Sequence, residues 1–168
     1  MLTQFLLPVF LLLLPGTSSG LHGKGDSPKV DSIVIVKSER TMKLYSHGKL
    51  VRQYKVALGG SPVGTKRQQG DRKTPEGSYV ISGRNEHSQF HLSLRVSYPN
   101  ATYVKWARSR KVAPGGDIMI HGLAPSFAYL GDLHRQTDWT DGCIAVTNPE
   151  IEEIWRLVSV GTKIEIRP

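Results

Sequence analysis

The chain has 168 residues, of which 39% are hydrophobic, a length that suits one domain with a buried core and is too short for two. Its formal net charge of +8 favours attraction to an anionic surface such as a cell wall, lipopolysaccharide or anionic lipid. Nucleic acid is the usual alternative, but the basic residues are scattered and form no nucleic-acid motif, so we expect no nucleic-acid partner.

The first twenty residues contain no charge and hold an apolar block from Phe5 to Leu14, which Pro15 and small residues follow. This pattern predicts a secretory signal peptide over residues 1–20. The block is about half of the roughly 20 apolar residues that a spanning helix needs, so we expect no integral membrane segment after signal removal. The protein is therefore expected in the periplasm or cell envelope.

Residues 21–30 form a polar lead-in, and the folded domain is expected over residues 31–168. Short β-branched or alternating runs predict five strands in the first part of this domain. They are Ser32–Lys37, Thr41–Ser46, Leu50–Leu58, Gly77–Arg84 and Phe90–Pro99. A hairpin turn is expected at His47-Gly48-Lys49, and the Gly-, Pro- and charge-rich residues 59–77 predict a long surface loop.

The second part of the domain contains two predicted helices and two predicted strands. They are a helix over Ala101–Arg110, a buried strand over Asp117–His121, a helix that Asn148 caps, and a closing strand over Thr162–Pro168. In the second helix Ile151, Ile154, Trp155 and Val158 share one face, which we expect to pack on the sheet. The predicted class is mainly β with covering helices.

Cys143 is the single cysteine of the chain, so it cannot form an internal disulfide. Its thiol is therefore unreactive, bonded to another molecule or chemically active. A cysteine nucleophile needs a base and donors for the oxyanion, and Gly142 lets a substrate carbonyl approach the nearby backbone N–H groups. The alternative is that Cys143 is a small hydrophobic residue of the core.

His121 is the preferred base because it ends a buried strand and Gly122 follows it. Two metal sites are alternatives: His87 with His91, which are four residues apart, or Cys143 with His121 and His134. The sequence supplies no tight pair of ligands, so we expect no metal and no other cofactor. His134 is expected at the surface or at the rim of the site.

Together, His121-Gly122 and Thr140-Asp141-Gly142-Cys143 resemble the hallmark of the L,D-transpeptidase (YkuD-type) catalytic domain family. The resemblance runs from about Ile33 to Pro168 and includes the Gly-rich loop and the Thr-Pro-x-Gly-x-Tyr strand that follows it. It implies a β-sandwich-like fold of mixed sheets with capping helices. The motif points to a subgroup with Thr-Asp-Gly-Cys in place of the commoner Ser-His-Gly-Cys.

The same resemblance implies an enzyme that transfers acyl groups between peptidoglycan stem peptides, and we expect the protein to be a monomer. Cys143 would be the nucleophile and His121 the general base, and the Gly122 carbonyl would orient the imidazole. The N–H groups of Gly142 and Cys143 would form the oxyanion hole, and Thr140 would brace the loop. The acceptor is left open: another stem peptide, a wall-attached protein or water, the last making the protein a hydrolase.

Three features depart from the common family pattern. Asp141 stands where many members have histidine, and a carboxylate there disfavours the thiolate. Ala145 stands where many members have Arg or Asn, so a substrate-binding group is missing or replaced. Residues 123–139 form a longer segment than usual, which could be a lid. A non-catalytic wall-binding module with a structural cysteine is the alternative to an enzyme.

Overall fold

The computed structural model describes residues 29–168, so the predicted leader and the lead-in up to residue 28 lie outside the described residues. Eight strands and two α-helices follow one another along the chain. They are β1 Val30–Val36, β2 Thr41–Ser46, β3 Lys49–Lys55, β4 Gly77–Ser88, β5 His91–Val96, α1 Ala101–Ser109, β6 Met119–His121, β7 Ile144–Ala145, α2 Asn148–Leu157 and β8 Val158–Arg167. Between β6 and β7 lies a 3₁₀ segment, Pro125–Gln136, which breaks at Gly131.

The strands form one mixed sheet in the order β3-β2-β1-β8-β4-β5-β6-β7. The β1–β8 and β6–β7 pairs are parallel and the other pairs are antiparallel. The sheet curls until its two ends meet, because Ala57, just after β3, exchanges backbone hydrogen bonds of 3.0 and 2.9 Å with Ala145 in β7. The predicted class, mainly β with covering helices, is confirmed.

The β2–β3 hairpin forms where the sequence predicts it. His47 and Gly48 both adopt positive φ, at 50° and 76°, as a two-residue turn between twisted strands requires. Met42 and Leu44 of β2 are fully buried, which confirms that they share the core face. The next strand is shorter than predicted, because the chain leaves the sheet after Lys55 and is held at Ala57 by β7 instead.

Helix α2 packs on the sheet through Ile151 and Ile154, which are completely buried. Its cap differs from the prediction: Thr147 is the N-cap residue, and the Glu150 carboxylate accepts hydrogen bonds from the Thr147 N–H at 2.9 Å and hydroxyl at 2.8 Å. Asn148 is instead the first helical residue, and its side-chain oxygen accepts a hydrogen bond from the Leu123 N–H at 2.7 Å.

The helices of residues 29–168 are short, and none of them is long and apolar enough to cross a membrane.

Candidate active site

His121 ends β6 on the face of the sheet opposite to the main core. Its side chain is buried between the rings of Phe90 and Trp139, whose centroids lie 4.5 and 5.9 Å from the imidazole centroid. Nδ1 donates a hydrogen bond of 2.7 Å to the Gly122 carbonyl, the contact that the resemblance implied. Because a carbonyl can only accept, this bond fixes the neutral tautomer in which Nε2 is free to accept a proton.

Gly122 is fitted closely to its surroundings. A Cβ atom at this position would lie 2.5 Å from the side-chain oxygen of Asn148 and 2.9 Å from Ile151 at the start of α2. A larger residue at this position would therefore move the Gly122 carbonyl, which holds the imidazole, away from α2. The burial of His121 lowers its pKa, and the hydrogen bond to Gly122 opposes that change only in part, so the imidazole is neutral at pH 7.

Cys143 lies directly before β7 and is half-buried. The β6–β7 pairing joins Ile120 to Ile144 and His121 to Ala145. Ile120 and Ile144 both face the core, so alternation along the strands directs Met119, His121 and Cys143 to the opposite face. The structure thus brings the predicted nucleophile and the predicted base to one face of two paired strands, although they are 22 positions apart in the chain.

The turn before Cys143 is built around the Thr140 hydroxyl. This hydroxyl donates to the Cys143 carbonyl at 2.8 Å and accepts from the Gly142 N–H at 3.1 Å. The Gly142 N–H therefore already has a partner in this arrangement, and an oxyanion hole made by the N–H groups of Gly142 and Cys143 stays a prediction. Gly142 has φ of 129°, and a Cβ there would lie 2.6 Å from the Lys73 carbonyl, so the turn requires glycine.

The surroundings of the sulfur favour the neutral thiol. Burial raises the pKa of Cys143, and the carboxylates of Asp141 and Asp117 raise it further, while the Met119 N–H and the Lys66 ammonium oppose the rise. The thiol also lies 3.9 Å from the Asp117 carbonyl, to which it can donate. Asp141 thus raises the thiol pKa, as the sequence predicts. Its carboxylate is exposed and lies 3.7 Å from the Arg72 guanidinium.

Two cavities flank the site. A cavity of about 400 Å³ opens beside Cys143, and most of its lining residues are charged, polar or glycine. The residues are Lys66, Gln69, Gly70, Arg72, Gly115, Gly116, Asp117, Ile118, Asp141 and Cys143. A second cavity, of about 350 Å³, lies under the 3₁₀ segment and is mainly apolar, with Phe90 and Trp139 between it and His121. A substrate can therefore meet the thiol from the polar side.

Among residues 29–168, the histidines named as alternative ligands have other contacts. His91 is 2.8 Å from a Glu152 carboxylate oxygen, and His87 lies beside Glu86. His134, expected at the rim, is 5% exposed, because the 3₁₀ segment folds it inward against Trp139, and this burial lowers its pKa to about 4. Within residues 29–168, no three His, Cys, Asp or Glu side chains converge in a way that could hold a metal ion.

Several residues of the site were not found from the sequence. Lys66 and Asp71 lie in the predicted surface loop, yet Lys66 is 3% exposed and its ammonium lies 2.8 Å from the Asp71 carboxylate. The loop has no periodicity that would identify its inward residues, so no pattern in the sequence marks Lys66 and Asp71 as buried. The packing of Phe90 and Trp139 on His121 could not be predicted either, since nothing in the sequence links these aromatic residues to the histidine.

Comparison with known proteins agrees with this geometry. The family model described as the L,D-transpeptidase catalytic domain (YkuD) matches residues 30–166. The chain therefore belongs to the L,D-transpeptidase catalytic domain family, which is a family of enzymes. The protein named "Putative L,D-transpeptidase YafK" of Escherichia coli K12 is 32% identical over 134 residues, in a match that covers 76% of this chain and 46% of that protein.

Solved structures show the same fold. The cell shape determining protein Pgp2 of Campylobacter jejuni aligns with a TM-score of 0.61 and 23% identity, over 82% of this chain and 47% of that one. Bd1075 of Bdellovibrio bacteriovorus aligns with a TM-score of 0.57 and 21% identity, over 85% and 49%. The present chain spans about half the length of these relatives. The Thr-Asp-Gly-Cys subgroup stays a prediction.

Proposed function

We propose that the protein is an exported cysteine acyltransferase that acts on peptidoglycan stem tetrapeptides in the cell envelope. The Cys143 sulfur attacks the carbonyl carbon of the diamino acid while His121 takes the thiol proton. The bond to the terminal D-alanine then breaks, and D-alanine leaves as an amine with the proton from His121. A second amine attacks the thioester, His121 takes the proton of this amine, and the thiol is restored.

The observation that carries the proposal is the parallel pairing of β6 with β7. It supports a shared role for Cys143 and His121, because the pairing sets the end of β6 beside the residue that precedes β7, with the Gly122 carbonyl behind the imidazole. The neutral tautomer with a free Nε2 is the form that a general base needs. The cavity of about 400 Å³ beside Cys143 gives a peptide a route to the sulfur.

Hydrolysis of the same thioester is the second candidate, with water as the acceptor. The feature that favours it is the lining of this cavity by Gly70, Gly115 and Gly116, which have no side chains to exclude water from the sulfur. The products would be trimmed stem tripeptides or wall proteins released from their links. Both candidates use the same nucleophile and base, and they differ only in the acceptor.

Mass spectrometry of digested peptidoglycan incubated with the protein tests the proposal. We expect cross-linked stem dimers if an amine is the acceptor, and tripeptides or released proteins if water is. Cys143→Ser should abolish every product and should prevent the covalent adduct of the protein with a carbapenem. His121→Ala should slow adduct formation by about 10²-fold or more, since the base acts together with the nucleophile.

The matched control is His47→Ala, which removes an exposed histidine in the β2–β3 turn. It should form the adduct at the wild-type rate. Turnover by a folded Cys143→Ser protein at the wild-type rate would refute the acyl-enzyme proposal. No product from the folded wild-type protein would leave the wall-binding module as the explanation.

A further inference from the structure

Lys66 is a buried lysine beside the candidate nucleophile. Its side chain is 4% exposed, and Nζ donates to Asp71 Oδ1 at 2.8 Å and to the Asp141 carbonyl at 3.5 Å. Its stem fits against Gly115, where a Cβ atom would lie 2.8 Å from Lys66 Cε. Asp141 is two residues before Cys143, so the ammonium is tied directly to the turn that presents the sulfur.

Asp71 organises the loop around this ammonium. Its carboxylate also accepts hydrogen bonds from the N–H groups of Arg67, Gln68 and Lys73, at 2.6, 3.0 and 3.1 Å. Burial alone would raise the pKa of Asp71, but these bonds and the bond from Lys66 hold it below the ordinary value. Asp71 is therefore an anion that fixes where the Lys66 charge lies.

The loop of residues 59–77 also packs against the turn before Cys143 through Lys73. The Lys73 carbonyl occupies the space that a side chain at Gly142 would need. A buried charge is costly unless it is paired, and an apolar residue could fill the same space without that cost. The paired lysine beside a thiol of raised pKa therefore points to a role for its charge.

We propose that Lys66 is a positioning residue for Cys143: its ammonium holds the Asp141 carbonyl and keeps a positive charge beside the sulfur, and Asp71 holds Lys66 in place. The inference rests on the proposed function, because it takes Cys143 as the nucleophile. The nearby carboxylates of Asp117 and Asp141 disfavour the thiolate. Each is beside an arginine, Arg95 at 2.6 Å and Arg72 at 3.7 Å, and the neutral His121 lies on the same face as Cys143. Lys66 opposes both carboxylates.

The test measures the rate at which iodoacetamide alkylates Cys143, as a function of pH, in the wild type and in Lys66→Met. Loss of the positive charge should raise the apparent pKa of the thiol and slow alkylation at pH 8 by about threefold to tenfold. Cys143 is the sole cysteine, so the reaction reports on this sulfur alone. The readout does not depend on turnover, and a control variant separates loss of the charge from loss of loop structure.

Lys37→Met is the matched control. Lys37 is as buried as Lys66 and holds the same loop through the carbonyls of Gly64 and Thr74, at 2.7 and 3.1 Å, and through Glu76 at 2.7 Å. It has no contact with the turn before Cys143 among the described hydrogen bonds. Lys37→Met should lower the melting temperature and leave the alkylation profile unchanged.

If Lys66→Met does not fold, the double variant Lys66→Gln with Asp71→Asn replaces it, since an amide pair keeps a hydrogen bond and removes both charges. Slower alkylation in either folded variant supports the proposal. A wild-type profile in that variant, or an equal change in Lys37→Met, overturns it. Such a result would leave the acyltransferase proposal intact, whereas turnover by Cys143→Ser would remove the function whatever the Lys66 result.

Discussion

At the scale of single residues, Cys143 and His121 are arranged as a neutral pair at rest. Burial raises the pKa of the thiol and lowers the pKa of the imidazole, so neither group is charged at pH 7. A neutral thiol needs a base at the moment of attack, and the free Nε2 of His121 is suited to that step. In the proposed mechanism the Cys143 thiol is therefore activated by proton transfer to His121, and the free protein holds no standing thiolate.

This resting state predicts the pH dependence of alkylation in the free protein. The thiolate reacts and the thiol does not, so the iodoacetamide rate should rise about tenfold per pH unit up to the thiol pKa. The midpoint should lie above that of an exposed cysteine, since burial raises the thiol pKa. The measurement is a series of intact-mass time courses between about pH 6 and pH 10, with Cys143→Ser as the background. A rate that is already saturated at pH 6 would mean a thiolate–imidazolium pair.

Asp141→Asn is predicted to make the thiol more reactive. The Asp141 carboxylate raises the thiol pKa, so its neutralisation should lower that pKa and speed alkylation at pH 8 by up to about threefold, a small effect because the carboxylate is exposed. Glu86→Gln removes an exposed carboxylate from β4 and should leave the rate unchanged. Equal rates in the two variants would show that solvent screens Asp141 completely.

The sequence was sufficient to find the residues that carry a local signal. Cys143 and His121 could be selected because one is the single thiol and the other ends an apolar run before a glycine. Lys66 and Asp71 could not, since a loop without periodicity does not reveal which charged residues face inward. The hydrogen bond from the Gly142 N–H to Thr140 was also beyond the sequence, because it depends on how the turn closes.

At the scale of elements, Glu150 joins two parts of the chain around the site. Its carboxylate caps α2 through Thr147 and also forms an ion pair with Arg135 of the 3₁₀ segment. Helix α2 supports Gly122 from below through Ile151, and the 3₁₀ segment buries His134 beside Trp139. A substitution of Glu150 should therefore destabilise both α2 and the 3₁₀ segment.

Glu150→Ala is predicted to destabilise the protein by about 1 kcal/mol through loss of the helix cap. It should also make residues 125–136 exchange amide hydrogens faster, because Arg135 loses its ion pair with α2 and keeps only the one with Asp132 inside the segment. Urea unfolding and hydrogen exchange measured by mass spectrometry test the two effects. Glu152→Ala, on the exposed side of the same helix, contacts His91 and should change neither the cap nor the 3₁₀ segment. Unchanged exchange over 125–136 in Glu150→Ala would show that other contacts hold this segment.

The elements differ in how far the sequence could determine them. The β2–β3 hairpin and α2 were predicted closely, since the turn residues and the spacing of Ile151 and Ile154 are local patterns. The pairing of β6 with β7 was not, because parallel strands of three and two residues contain too little pattern to fix a register. This pairing brings the candidate site together, so its geometry needed the structure.

At the scale of the whole molecule, the positive charge is unevenly distributed along the folded domain. Lys24 and Asp26 cancel each other in residues 1–28, so residues 29–168 retain the full charge of +8. From Ala101 to Lys111 the chain carries four basic residues, Lys105, Arg108, Arg110 and Lys111, and no acidic one. Helix α1 and the residues after it thus form a basic surface. Arg67 adds to it, since its guanidinium lies 5.2 Å from the Trp106 ring centroid.

We predict that binding to an anionic cell-wall preparation depends on salt and on α1. Raising the salt from about 50 mM to about 500 mM should weaken binding several-fold, because counterions screen exposed charges beyond a few ångströms. Lys105→Glu with Arg108→Glu should weaken it at low salt more than Lys49→Glu with Lys163→Glu, an exposed pair on β3 and β8 that changes the net charge equally. Equal losses would indicate attraction by net charge alone, and binding that ignores salt would exclude an electrostatic role. Since neither pair touches the Cys143 turn, the alkylation profile should stay unchanged in both, which separates attachment to the wall from the chemistry of the thiol.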